Sequence, residues 1–156
     1  MNISSAQVRK RLEEFEGGFF GRKISSGALL RDTGYFITDP EDLRRRVIMA
    51  RHWMAKISRV PIESLSSIMS NADGKDNGRL DCDNFAIDGC SIMKREFDAD
   101  CRESGDNDSQ ELAIWPAARD DIDHSQALCL TTDGWRMVEF ITGEIVSKIP
   151  KLLQVG

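Results

Sequence analysis

The chain has 156 residues, enough for one domain whose apolar core needs no covalent staples. Its net charge is −5 and its longest basic run is Arg44-Arg45-Arg46, which speaks against general nucleic-acid binding. No stretch approaches the ~20 apolar residues of a membrane span, the first residues carry no apolar leader core, and the four cysteines (Cys82, Cys90, Cys101, Cys129) show neither a CxxC pair nor zinc spacing. The expectation is a single-domain cytoplasmic protein with reduced thiols, acting away from membranes and nucleic acid.

Residues 5–16 hold a rough apolar stripe (Ala6, Val8, Leu12, Phe15) that stops at Gly17-Gly18. Beyond it the chain is Ser/Gly-rich, so residues 1–34 read as an irregular N-terminal extension carrying one short helix. Residues 34–38 form a short extended entry to the core. Asp39-Pro40-Glu41-Asp42 then predicts a helix start: Asp39 as cap, Pro40 at the first helical position, acids at the positive end. Leu43, Val47, Ala50, Met54 and Ile57 follow in steps of three and four and give that helix one apolar face. His52 lies off the stripe and reads as a surface residue. Ile62 to Met69 predicts a short helical turn, and the Asn/Asp/Gly-rich run 71–78 predicts a loop.

A second long helix is predicted to start at Cys82, with Ala86, Cys90, Met93 and Phe97 on one face and Gly89 as a weak point inside it. Residues 98–110 are acidic and lack periodicity, which predicts an exposed loop. Glu111 to Trp115 predicts a strand ended by Pro116. His124–Thr131 and Trp135–Ile141 predict a hairpin around Thr132-Asp133-Gly134. Residues 144–153 receive no assignment. Helices come first and strands last, so the fold class is α+β, with N-terminal helices packed on a C-terminal antiparallel sheet.

The chemistry starts from Asp81-Cys82-Asp83-Asn84-Phe85-Ala86. The N-terminus of a helix carries roughly half a positive charge and favours the thiolate, which is the nucleophilic form. Cys82 therefore reads either as a nucleophile or as a small buried residue at a helix start. A cysteine nucleophile needs a base, and the base needs an orienting group. The chain has two histidines. His124 heads a predicted strand, and Glu139 lies in the next one, in an apolar run. Glu139 reads either as an outward strand residue or as the orienting group. If Leu130 faces Trp135, Gln126 lies opposite Glu139 and His124 is its diagonal neighbour; if Leu128 faces Trp135, His124 lies directly opposite. Leu128, Leu130 and Met137 would share that face and pack toward the Cys82 helix.

Three motifs, Asp-Cys-Asp-Asn-Phe-Ala at 81–86, His-Ser-Gln-Ala-Leu at 124–128 and Val-Glu-Phe-Ile-Thr-Gly-Glu at 138–144, resemble the papain-like/transglutaminase-like cysteine peptidases of bacteria and phages. That broad group includes the protease domain of a mushroom agglutinin. The likeness covers roughly residues 35–146. It implies a papain-like core, a Cys82–His124–Glu139 triad and a protein or peptide substrate cleaved through a thioacyl intermediate. Ser125-Gln126 and Phe140-Ile141 depart from the family pattern. The glutamine that usually precedes the nucleophile and helps form the oxyanion hole is replaced, and Asn77 is the nearest substitute. The alternative is a papain-like fold with weak or no turnover, serving as an interaction or structural protein. No cofactor is required, but the likeness makes calcium a possible ligand, with Asp81, Asp83 and Asn84 as candidate donors. An EF-hand frame over 73–84 fails at Lys75 and at Asn84. Asp81 and Asp83 also read as a helix cap and a surface charge, and as charges they repel a thiolate. Substrate identity and oligomeric state are not written in the sequence.

Overall fold

In a computed structural model, residues 1–13, 32–69 and 79–156 are described. Among them the elements run β1 (Asn2–Ser4), α1 (Ser5–Glu13), β2 (Gly34–Phe36), α2 (Pro40–Ser58), a 3-10 helix (Ile62–Ile68), α3 (Cys82–Ser104), β3 (Glu111–Leu112), β4 (Ile114–Arg119), β5 (Ser125–Thr131), β6 (Gly134–Val138), β7 (Ile145–Val146) and β8 (Leu152–Val155). The arrangement is α+β. No helix among the described residues is long and apolar enough to cross a membrane.

Helix α2 starts where its sequence dictates. The Asp39 carboxylate accepts the Asp42 N–H at 2.8 Å, and Pro40 occupies the first turn, where a missing N–H costs nothing. Its buried residues include Leu43, Val47, Ala50 and Met54 of the predicted stripe, but Ile57, the last of that stripe, is exposed at the helix end, and so is His52. Helix α3 begins at Cys82 and buries Ala86, Cys90, Met93 and Phe97. It runs to Ser104, through the first part of the segment read as a loop. There the acids make ion pairs: Asp98 with Arg102 at 2.9 Å one turn on, and Asp100 with Arg46 of α2 at 2.9 Å. Gly105, at φ 75°, then closes the helix in the left-handed conformation.

Strands β7-β6-β5-β4-β8 form an antiparallel five-stranded sheet, and β1-β2-β3 a smaller one. In the hairpin, Leu130 faces Trp135 and Ala127 faces Val138, which is the first of the two registers considered. Strand β4 continues through Pro116 to Arg119. Ala117 pairs with Val155, so Pro116 lies level with Gly156, past the end of β8, where its missing N–H breaks no bond within that strand. The last stretch, unassigned from sequence, supplies the two edge strands β7 and β8.

The five-stranded sheet is covered on both faces. Helices α2 and α3 pack on Ile114, Ala127, Cys129 and Val138. The other face, with Trp115, Leu128, Leu130, Trp135 and Met137, packs on Val8 and Leu12 of α1 and on Tyr35. Two expectations are corrected here. Leu128, Leu130 and Met137 point away from α3, because alternation along β5 assigns the odd-numbered residues to the α3 face. The N-terminal residues are also not an irregular extension as far as they are described: β1 pairs with β2 and Val8 is fully buried. The two cores then run the length of the described chain.

Candidate functional site

Cys82 is the first residue of α3, and the cap that precedes it is doubly bonded. The Asp81 carboxylate accepts the Asn84 N–H at 3.2 Å, and the Asn84 side-chain oxygen accepts the Asp81 N–H at 3.0 Å. This reciprocal capping box fixes the first turn and therefore the direction of the cysteine side chain. Cys82 is buried, with 6% of its surface exposed. Its sulfur lies against the head of β5, where the backbone N–H of Ser125 donates to Sγ at 3.4 Å.

His124 is the residue before Ser125, at the corner between β4 and β5. Its carbonyl accepts the Arg119 N–H at 2.9 Å and its own N–H donates to Ile122 O at 2.9 Å, so the corner is fixed by backbone bonds. The imidazole Nε2 is hydrogen-bonded to Glu139 Oε1, with both side chains mostly buried. Glu139 is not inside a strand as expected. It follows the end of β6 and opens a turn in which its carbonyl accepts the Gly143 N–H at 2.7 Å and its N–H donates to Glu144 O at 2.9 Å. That position suits a carboxylate: it sits at the end of the sheet, beside the histidine, rather than in the apolar face of Met137.

The turn is gripped from α2. Arg51 donates from Nε to Phe140 O and from an Nη to Ile141 O, each at 2.9 Å. Phe140 itself is buried flat against Gly89 of α3, where a Cβ would come within 2.3 Å of the ring. Neither the Arg51 grip nor the Phe140–Gly89 contact is local in sequence, although a glycine inside a helix is a usable signal of a close approach. Arg119 of β4 is raised above its ordinary value, first by its hydrogen bond with Asp121 and also by the charge of Glu139, so it belongs to the electrostatic surroundings of the pair.

Asp83 is exposed beside the same corner, where its carboxylate accepts the Ser125 hydroxyl. The three candidate calcium donors are thus engaged within the protein, Asp81 and Asn84 with each other and Asp83 with Ser125. Among the described residues no three His, Cys, Asp or Glu side chains gather as metal ligands. Asn77 lies outside the described residues.

The structure therefore brings His124 and Glu139 into direct contact and sets Cys82 against the neighbour of His124. Compared with known proteins, the chain matches no family model, no curated protein and no solved structure.

Proposed function

We propose that the chain is a papain-like cysteine peptidase or amide hydrolase in which Cys82 is the nucleophile, His124 the base and Glu139 its orienting partner. The observation that carries this reading is the His124–Glu139 hydrogen bond formed one residue from the N–H that donates to the Cys82 sulfur. With Nε2 engaged by Glu139, Nδ1 is the ring nitrogen left for the thiol proton. In the reaction the Cys82 thiolate would attack the carbonyl carbon of an amide, and the C–N bond would break as His124 gives its proton to the leaving nitrogen. Water, deprotonated by His124, would then add to the thioester and release the acid and the thiol. Protein, peptide and cell-wall peptide amides all fit this chemistry. Glu139 would hold the imidazole in the productive tautomer and stabilise its charged form.

One observation favours the non-catalytic alternative: Cys82 is as enclosed as a core cysteine. Thiol labelling separates the two. Burial pushes Cys90 up to about 12 and Cys129 higher still, so both are poor nucleophiles whatever the function; the partly exposed Cys101, raised too by burial and by the Asp106 charge, is the accessible reference. An activated Cys82 reacts with iodoacetamide at neutral pH at least tenfold faster than Cys101. His124→Ala abolishes the excess, and Glu139→Gln reduces it without abolishing it, because the imidazole loses its orienting carboxylate but keeps its place. Cys82 labelling no faster than Cys101, with no response to His124→Ala, sinks the enzyme reading.

A further inference from the structure

Ser125 directly follows His124 and is 7% exposed. It makes two contacts with the first turn of α3. Its backbone N–H donates to Cys82 Sγ at 3.4 Å, and its hydroxyl donates to the Asp83 carboxylate. The side-chain bond therefore ties the strand that carries the amide to the helix that carries the sulfur. The two bonds start from one residue and end on adjacent ones, so neither element can slide without breaking both.

The charges around the sulfur make this tie consequential. Asp81 caps α3 and Asp83 lies in its first turn, His124 precedes β5, Glu139 follows β6, and Arg119 of β4 is close enough to feel Glu139. Asp83 is the residue next to Cys82, and its negative charge opposes a thiolate. An N–H donor on the sulfur acts the other way, because a donor strengthens as its acceptor gains charge. A hydroxyl donated to Asp83 also directs that carboxylate toward Ser125.

We propose that Ser125 is a positioning residue: through its hydroxyl bond to Asp83 it holds its own N–H on the Cys82 sulfur and so sustains the reactivity of the thiol. The proposal rests on the nucleophile reading of Cys82 and adds to it a residue outside the Cys–His–Glu set. The hydroxyl does not touch substrate in this account; it acts through the amide and through Asp83.

The test is the rate of iodoacetamide labelling at Cys82, with Cys101 of the same molecule as internal reference. Ser125→Ala slows Cys82 about threefold to tenfold, the net size of one hydrogen bond, and Ser125→Thr, which keeps the hydroxyl, restores the wild-type rate. A merely structural Ser125 predicts the opposite sign, since loosening the helix start would expose a buried thiol and speed its labelling. Wild-type or faster labelling in Ser125→Ala overturns the proposal. Should that variant not fold, Asp83→Asn and Asp83→Ala carry the same comparison. Both remove the charge, but the Asn amide oxygen still accepts the hydroxyl, so the Ala variant labels more slowly than the Asn variant; equal rates overturn the proposal. A wild-type Cys82 no faster than Cys101 removes the nucleophile reading and this inference together, whereas a fast, His124-dependent Cys82 that is indifferent to Ser125→Ala removes this inference alone.

Discussion

Arg46 shows how this fold handles a charge it has buried. Its side chain is 6% exposed, its guanidinium bonds Asp42 and Asp100 at 2.9 Å each, and it stacks 5.1 Å from the Phe97 ring centroid. A buried guanidinium is tolerated when both faces of its charge are answered, and removing one partner leaves an uncompensated ion. Burial alone would raise the Asp42 carboxyl, but hydrogen bonds from Thr38, Arg45 and Arg46 outweigh it and hold the group below its ordinary value of 3.8. The unfolded chain therefore takes up a proton in acid more readily than the folded one. The resulting stabilisation is complete above that ordinary value and is lost as pH falls through the lower, folded one. Asp42→Asn is expected to lower stability by about 1–3 kcal/mol at pH 7, with urea midpoints converging on the wild type only as pH falls below the lowered, folded value. A deficit that stayed constant with pH would contradict the charge account. Nothing in the one-dimensional pattern pairs Arg46 with Asp100, because the pair is made across two helices. The same is true of Ser125 and Asp83, whose hydrogen bond joins the head of β5 to the first turn of α3.

At the level of elements, α3 and the hairpin are joined by one unusually close fit. Replacing a helical glycine with alanine normally stabilises by about 1 kcal/mol. At Gly89 the added methyl would overlap the Phe140 ring, so the expected change is a loss of about 2–3 kcal/mol. Phe140 also neighbours Glu139, so displacing the ring disturbs the histidine's partner. Gly89→Ala should depress both the melting temperature and the labelling of Cys82, and Gly89→Ala with Phe140→Leu should recover stability. If the single variant is as stable as the wild type, the fit is looser than the structure makes it. The long helices and the hairpin were legible because capping residues and periodicity act locally: Asp39-Pro40 opens α2, and the stripe from Ala86 to Phe97 defines α3. The extension of α3 over 98–104 was not, because there the helix is held by ion pairs rather than by an apolar face. Strands β7 and β8 escaped for a similar reason. Each is an edge strand of few residues whose conformation is set by the neighbour it pairs with.

Taken whole, the molecule is a sheet closed on both faces, and its second face depends on the first thirteen residues. Ile3, Val8 and Leu12 are buried there, and Trp135 Nε1 donates to Arg11 O at 3.4 Å. Each buried aliphatic side chain contributes about 1.5–3 kcal/mol, so removing residues 1–13 should cost more than ~4 kcal/mol and shift tryptophan emission to the red as Trp135 and Trp115 meet water. Unchanged emission would mean that α1 is dispensable to the second core. That α1 belongs to the core at all was hidden by its short stripe, whose partners include Trp115 and Leu128, more than a hundred residues away. The fixed corner between β4 and β5 has one more consequence, which concerns synthesis. A ribosome adds ~5–20 residues per second, so the helix that bears Cys82 is made some seconds before Glu139 exists. During that interval the sulfur has its helix but neither the strand amide nor the oriented imidazole. Whatever reactivity the assembled corner confers, a nascent chain is born without it and acquires it only when the sheet closes.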